Sequence, residues 1–387
     1  MRTLKKIIFW IIYGIPAAIL FLLRIRVLQI THPDRIGHLC LEPDCFVKEG
    51  ILGLRPRFRA LFLVPRNHAA NRTLLDLWAA QLTIISSDFL CFLFAPLARV
   101  QWCSYSTAQY AVAINDTAKC VDIYSRWNLR QPVLNYPRDQ LSRGYLALTK
   151  MGLPKGSWFV CVHSREGGYS PSDEHIHSFR NSDIKNYRLA MEAIVAAGGW
   201  CIRVGENSSQ PCPSLTGVID YAHSQYKSDW MDMFLCANCK FFLGNSSGLA
   251  MLPPIFGVPC ALANMIPGSS SLPVMPGSIG IPKMLRRGAS GQAISYPEIM
   301  SSTIANFRFA KQYSELGIIV EENTPEEIRD LALEMLEICA DQASFSEEDE
   351  LMQKKYRGLF KPGHFSFGAA SRIGSKYLRK HHQLLND

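Results

Sequence analysis

Charge is scarce in this sequence: Asp, Glu, Lys and Arg make up only 19% of 387 residues, below the roughly 25% usual for soluble domains. Some surface is therefore expected to face something other than water. Long apolar runs are also scarce. Ile7–Leu23 is the one stretch long and uncharged enough to be a membrane segment, which excludes a multi-span channel or transporter. There is no small-residue cleavage signature after it, so a removed signal peptide is not expected. Neither a GxxxxGK[ST] loop nor a GxGxxG after a strand occurs, which sets aside P-loop and dinucleotide readings. An HExxH zinc helix is missing too. So is an Asp-x-Asp pair for a metal-bound nucleotide; the nearest spacing, Asp229 to Asp232, lies in an expected helix. No metal and no cofactor are expected. The twelve cysteines are scattered in apolar runs and form no disulfide framework, which points to a reducing compartment. Cys236 and Cys239 form a CxxC without a second pair at zinc spacing, and two buried thiols near a helix end are expected there.

What is present is apolar bulk, at 48% of residues, enough for two cores at the usual domain size. The formal charge of +8 is confined to the start: the first 72 residues hold twelve bases and four acids, and the rest sums to zero. A basic stretch beside an apolar segment suits anionic lipid headgroups. A nucleic-acid binder would carry its basic footprint on the recognising domain with aromatics interleaved, so no nucleic-acid partner is expected. Ile7–Leu23 holds 17 residues, about 25 Å of helix against a hydrocarbon core of roughly 30 Å. Gly14 and Pro16 interrupt it, and basic residues flank both ends. A spanning helix and an interfacial anchor both remain open, with the anchor favoured.

Beyond residue 26, apolar runs and helical spacing alternate. Val27–Ile30 is a short apolar run and Ala60–Pro65 reads as a buried strand. Asn71–Ile84 has helical spacing, Phe89–Phe94 fits either state, and Asp139–Lys150 reads as a helix ending in the breaker cluster 152–156. Ser157–His163 is the next strand, followed by a polar loop over 164–181 and a helix over 183–197 capped by Gly198 and Gly199. Strands come next at 200–204, 241–243 and 258–262, with a short helix at 229–237. Thr324-Pro-Glu-Glu327 is a capping box opening a helix to about 340. The alternation argues an α/β fold with parallel sheets wound on both sides. The expected organisation is an anchor at 1–26, a first domain at 27–152, a second at 153–365, and a C-terminal helix at 366–387 returning to the first domain.

Four constellations carry chemistry. Gly244-Asn245-Ser246-Ser247-Gly248 lies between a strand and an expected helix. It would cradle a phosphate with backbone N–H groups and hydroxyls, or would be a tight turn with a serine cap. His163-Ser-Arg165-Glu166 leaves the strand end where ligands sit in such folds. The arginine fork suits a diphosphate, whereas a strand-end histidine is by default structural. Arg180-Asn181-Ser182-Asp183 offers groups for sugar hydroxyls or phosphate, with Asp183 equally readable as a helix cap. Lys283 comes after the Gly/Ser/Pro-rich stretch 267–280, a loop of the kind that is often functional.

These segments resemble a known family. HSREGGY (163–169), FRNSDIKNY (179–187), GGWCIRVG (198–205), KSDWMDMFLCANCKFFLGNSSGL (227–249) and IFGVPCALAN (255–264) are similar, in this order, to the C-terminal half of bacterial glycosyltransferases encoded in surface-polysaccharide clusters. RIGHL (35–39), IPK (281–283) and ENTPEEI (322–328) fit the same pattern, and the likeness runs from about 27 to 375. The HSR also resembles the His-x-Arg of GDP-fucose-dependent fucosyltransferases, whose arginine meets the donor diphosphate; Arg165 matches it. The resemblance implies a GT-B-like fold, with two Rossmann-type domains facing a cleft behind an N-terminal apolar helix. It implies transfer from a nucleotide-sugar to a surface-polysaccharide or lipid-linked glycan precursor at the cytoplasmic face of the inner membrane. Donor-binding residues would be His163, Arg165, Arg180, Asn181, Gly244, Asn245, Ser246, Ser247, Gly248 and Lys283. Glu166, Asp173 or Glu174 would be the general base. Gly37, His38 and Asn71 would lie on the acceptor side. A pyruvyl-transferase-like enzyme and a non-catalytic assembly protein are the alternatives.

Overall fold

The computed structural model describes residues 9–111, 119–167, 171–269 and 271–386, without the side chains of 171–173. The chain divides into two compact units, residues 1–115 and 116–387.

In the first unit three strands, β1 (Ile25–Gln29), β2 (Arg59–Leu63) and β3 (Thr83–Ile85), form a parallel sheet in that order. The helix Ile36–Ile51 links β1 to β2, and Arg72–Ala79 links β2 to β3. The helical spacing expected to continue to Ile84 stops at Ala79. Ile84 and Ile85 are β-branched and pair instead with Phe62 and Leu63, the pleated setting that suits such side chains. Asn71 starts the second helix by accepting the Leu74 N–H at 2.8 Å. Trp78 on its inner face donates its indole N–H to the Leu39 carbonyl at 3.0 Å, tying the two helices together. Phe89–Phe94 is helical, as part of Asp88–Phe94. At the start, a π-helical turn Trp10–Gly14 runs into the helix Ile15–Leu22, with Pro16 in its first turn where the missing N–H costs least.

The helix Ile36–Ile51 is unusual in what it buries. Glu42, Asp44, Lys48 and Glu49 are all at most 2% exposed. Lys48 pairs with Asp44 at 2.6 Å, and Glu49 accepts the hydroxyls of Tyr105 and Tyr110. Buried charge is tolerated only when partnered in this way.

The second unit is built on a sheet of seven parallel strands. These are β4 (Phe159–Val162), β5 (Trp200–Arg203), β6 (Val218–Asp220), β7 (Phe242–Gly244), β8 (Cys260–Met265), β9 (Ile279–Pro282) and, at the edge, β12 (Arg372–Ile373). Their order across the sheet is β12-β9-β8-β7-β4-β5-β6. A separate antiparallel pair joins β10 (Met284–Arg287) to β11 (Ile318–Glu321). Both faces are covered. Ile202 joins a cluster with Leu148, Phe159, Phe234 and Phe242, while its neighbour Cys201 points the other way, to the Met191 carbonyl. Helices Leu141–Lys150 and Asp229–Asn238 supply the first face; Arg188–Ala196 supplies the second. Continuous apolar strands covered on both sides are what a parallel sheet demands.

The division at 115/116 lies well upstream of the 152/153 boundary suggested by the breaker cluster. Helix Leu141–Lys150 belongs to the second core because Gly144, which carries no Cβ, lies against the Phe234 ring. The C-terminal segment expected to return to the first domain is accounted for within the second unit. Its helix Ser375–Lys380 is held by Glu334, which accepts from Ser375 at 2.8 Å, and by Glu327, which accepts from Lys380 at 2.7 Å. The region 164–181, expected to be loop, contains the helix Pro171–His177.

Candidate functional site

The seven strands are parallel, but the order in which they are added across the large sheet reverses between β4 and β7. From β4 the order runs outward through β5 and β6; from β7 it runs the opposite way through β8 and β9. Such a switch opens a crevice at the carboxyl ends of its two central strands, the usual ligand position in open α/β sheets. The segments leaving those two ends are His163–Glu166 and Gly244–Gly248, the two motifs singled out in the sequence.

The two segments are stitched together. The His163 N–H donates to the Leu243 carbonyl, and the Arg165 N–H donates to Asn245 Oδ1, both at 2.9 Å. Asn245 is fully buried, and its Nδ2 donates to the Arg180 carbonyl at 3.0 Å. Arg180 returns the contact through Nε and Nη2, which donate to the Ser246 carbonyl at 3.2 and 3.0 Å. Asn245 and Arg180 thus fix the loop's shape. Ser247 accepts the Ala250 N–H at 3.3 Å, so the serine-cap reading holds. The chain then passes into a 3-10 turn, Leu249–Met251, and the four-residue helix Leu252–Ile255. The expected helix dipole is correspondingly small, because Pro253 and Pro254 keep the helix to a single turn. A ligand here would be met by loop N–H groups and by the half-buried Ser246. A side chain at Gly244 would strike the Phe242 ring at 2.6 Å, so that glycine is required by packing.

His163 donates from Nδ1 to the Val204 carbonyl at 3.1 Å. Burial first, then the positive fields of Arg203 and Arg165, push its pKa down to about 4. It is a neutral, positioned ring at neutral pH. Arg165 directs Nη1 to Asn181 Oδ1 and to the His177 carbonyl at 3.3 Å, and lies 4.0 Å from Glu174. Asn181 Nδ2 in turn donates to Glu174. Lys283 enters from the end of β9, 3% exposed, and donates to the Asn181 carbonyl at 2.6 Å. Burial pulls its pKa down to about 8 against the opposing field of Glu322, with Arg165 adding to the depression. Two cations and Asn181 therefore converge at the switch point. Asp183 accepts the Lys185 N–H at 2.9 Å and is a cap.

The candidate bases differ in how they are held. Glu166 accepts Ser164 Oγ at 2.7 Å, Arg203 Nη2 at 3.4 Å and the Gln210 N–H, so its lone pairs are committed to shaping the loop. Glu174 is tied to Asn181. Asp173 lies on the helix Pro171–His177, and its side chain is outside the described residues. Among the described residues no group of three or more His, Cys, Asp or Glu could hold a metal ion. Cys236 and Cys239 are both buried free thiols.

Several contributors were not singled out from the sequence. Arg203, fully buried at the end of β5, supports Glu166. Asn264, in the left-handed region at φ 53°, exchanges hydrogen bonds with Asn323 and donates to Ser182 at 3.1 Å. Their signal was a polar residue inside an apolar strand, a position that requires a partner.

The three residues expected on the acceptor side lie in the first unit. Asn71 is the helix cap described above. Gly37 and His38 begin the helix after β1. There His38 Nδ1 meets Glu42 Oε1 at 2.7 Å, and Glu42 Oε2 accepts the Thr31 N–H at 3.1 Å. The carboxylate is fully buried, whereas 14% of the imidazole is exposed. A carboxylate on Nδ1 fixes the tautomer and leaves Nε2 to accept a proton.

No family model matches the chain, and no curated protein matches it. Solved structures do. A glycosyl transferase family 9 protein from Veillonella parvula DSM 2008 aligns over 62% of this chain and 80% of its own, at 9% identity and a TM-score of 0.40. The iron-containing dodecameric glycosyltransferase TibC from enterotoxigenic E. coli H10407 aligns over 64% of this chain at 13% identity and a TM-score of 0.38; the chain spans 60% of its length. A UDP-GlcNAc 2-epimerase from Methanocaldococcus jannaschii aligns over 96% of this chain and 81% of its own, at 11% identity and a TM-score of 0.27. With scores this low, the likenesses decide nothing about chemistry, which rests on the site.

Proposed function

We propose that the chain is a GT-B-type glycosyltransferase, moving a sugar from a nucleotide-sugar to a surface-polysaccharide or lipid-linked glycan precursor. The observation that carries this reading is the convergence of Arg165, Lys283 and the Ser246 loop at the β4/β7 switch point, which suits a diphosphate. As the sugar–diphosphate bond breaks, negative charge grows on the leaving group, and fixed cations and N–H donors stabilise it without reorganising. Glu174 takes the proton of the attacking hydroxyl in this reading, its side chain being 32% exposed beside Arg165, whereas Glu166 is committed to shaping the loop. No metal is assigned a role. Among the described residues no helix is long and apolar enough to cross a membrane; Trp10–Leu22 covers about 20 Å of rise. Attachment to the cytoplasmic face of the inner membrane is therefore proposed as interfacial, through that segment.

A panel of ADP-, GDP-, UDP- and CMP-linked sugars, screened by thermal shift and then by release of nucleotide, tests this. A ligand that binds only the folded state must raise its stability. A raised melting temperature with one nucleotide class, followed by release of its diphosphate, is expected. No shift with any of the four, at millimolar concentration, would overturn the reading.

A further inference from the structure

The helix Asp88–Phe94 (DFLCFLF) is apolar on both sides. Cys91 faces inward, 4% exposed, with its thiol on the Ile85 carbonyl at 3.0 Å. The opposite side presents Phe89 and Phe92 at 71% and 81% exposure. An ordinary surface helix would place polar residues there, and two adjacent phenylalanines held in water call for an explanation that a lone exposed apolar residue does not.

The same buried cluster lies beneath this helix and the N-terminal segment. Ala17 and Leu20 from the one, and Cys91 and Phe94 from the other, pack with Val27, Leu97 and Val100. The N-terminal segment also turns apolar residues outward, with Leu22 80% and Ile15 66% exposed. Its end carries the residues of an interfacial belt. The Arg26 guanidinium lies 4.4 Å over the Phe21 ring, and Trp102 packs edge-on to that ring at 5.6 Å. Two apolar elements thus share one core and leave their outer faces bare.

Charge selects the occupant. Three of the first unit's acids, Glu42, Asp44 and Glu49, are buried. Setting aside the Arg66–Asp76 pair, the exposed charged residues of the described part of this unit are Arg24, Arg35, Arg57, Arg59, Arg72 and Arg99, against Asp34 and Asp88. Acids inside and arginines outside suit an anionic surface, to which each nearby base adds attraction.

We propose that Asp88–Phe94 is a second lipid-inserting element, seating the first unit on an anionic bilayer at two places: Phe89/Phe92 and the N-terminal segment. The proposal deepens the interfacial attachment above and rests on it for the N-terminal segment only.

Full-length protein is sedimented with vesicles of 30% phosphatidylglycerol in phosphatidylcholine and with pure phosphatidylcholine. It is compared with Phe89→Ser/Phe92→Ser and, separately, Ile15→Ser/Leu22→Ser; all four positions are exposed, and retained thermal melting checks folding. Wild type should prefer the anionic vesicles, and each double variant should partition about tenfold or more less strongly. A Phe92→Trp variant should gain quenching by bromine on the acyl chains, relative to wild type. Binding by Phe89→Ser/Phe92→Ser equal to wild type, with loss only in Ile15→Ser/Leu22→Ser, overturns the second element and leaves N-terminal attachment standing. No binding of wild type to either vesicle sinks both. Unchanged vesicle binding with a dimer abolished by Phe89→Ser/Phe92→Ser, seen by sedimentation velocity, assigns the face to a second copy of the chain and also overturns the proposal.

Discussion

Replacing Lys283 with methionine should make the protein more stable at neutral pH. The buried ammonium has its pKa pulled from 10.5 to about 8. Since one pKa unit corresponds to about 1.4 kcal/mol, keeping that proton costs the folded state about 3 kcal/mol at pH 7. Methionine removes the cost, but leaves the Asn181 carbonyl without its 2.6 Å donor, a loss of about 1 kcal/mol. The net gain is about 2 kcal/mol. Its pH dependence has a definite sign. Between about pH 8 and 10.5 the unfolded chain holds the Lys283 proton and the folded chain does not, so wild-type stability rises through that window; below it the full cost is present and this group adds no pH dependence. The advantage of Lys283→Met should therefore vanish near pH 10. Urea unfolding followed by tryptophan fluorescence, to which Trp158 before β4 and Trp200 in β5 contribute, measures both points; the wild-type/variant difference cancels other titrations. A nucleoside diphosphate should supply the missing counter-charge. Wild type should then take up a fraction of a proton on binding at pH 8, read by calorimetry in buffers of different ionisation enthalpy, and Lys283→Met should not. A variant less stable than wild type at pH 7, or one binding diphosphate with wild-type affinity, refutes the reasoning.

Arg165→Ala should weaken nucleoside-diphosphate binding by about 1.5–3 kcal/mol, the worth of a charged hydrogen bond, and nucleoside binding much less; equal losses by titration calorimetry would remove Arg165 from the phosphate site. Gly144→Val should cost about 1–3 kcal/mol or more, because its first side-chain carbon would overlap the Phe234 ring; an unchanged melting temperature would contradict that packing. Turnover should survive EDTA, and loss restored by Mg²⁺ or Mn²⁺ would mean that a metal site exists.

The strands of the second unit were legible because continuous apolar runs bounded by glycine have few other uses. β4, β5, β7 and β8 overlap the strands read at 157–163, 200–204, 241–243 and 258–262. Thr324 and Glu327 cap their helix reciprocally, as their spacing implied. What the sequence hid was partnership over distance. The unit boundary was misplaced because Gly144 meets a ring ninety positions away. Glu42 carried no local sign of burial, yet Thr31 and His38 close on it. Arg180 and Asn245 read as ligand-facing groups, yet each spends its polar atoms on the other's loop. A local pattern specifies an element; only packing decides whether a polar residue on it faces a ligand or a neighbour.

The edge strand β12 has a consequence for biosynthesis. β9 gains its outer neighbour only from Arg372–Ile373, a strand gripped by Gln353, whose side chain accepts the Ile373 N–H at 3.2 Å and donates to the Ile373 carbonyl. On a ribosome making about 5–20 residues each second, the strands of the switch point emerge several seconds before their sheet is closed. Throughout that interval Ile279–Pro282 is an open template for another strand. Premature termination anywhere before residue 372 leaves that edge bare for good, so truncated chains should accumulate as aggregates even though every strand of the switch point is present.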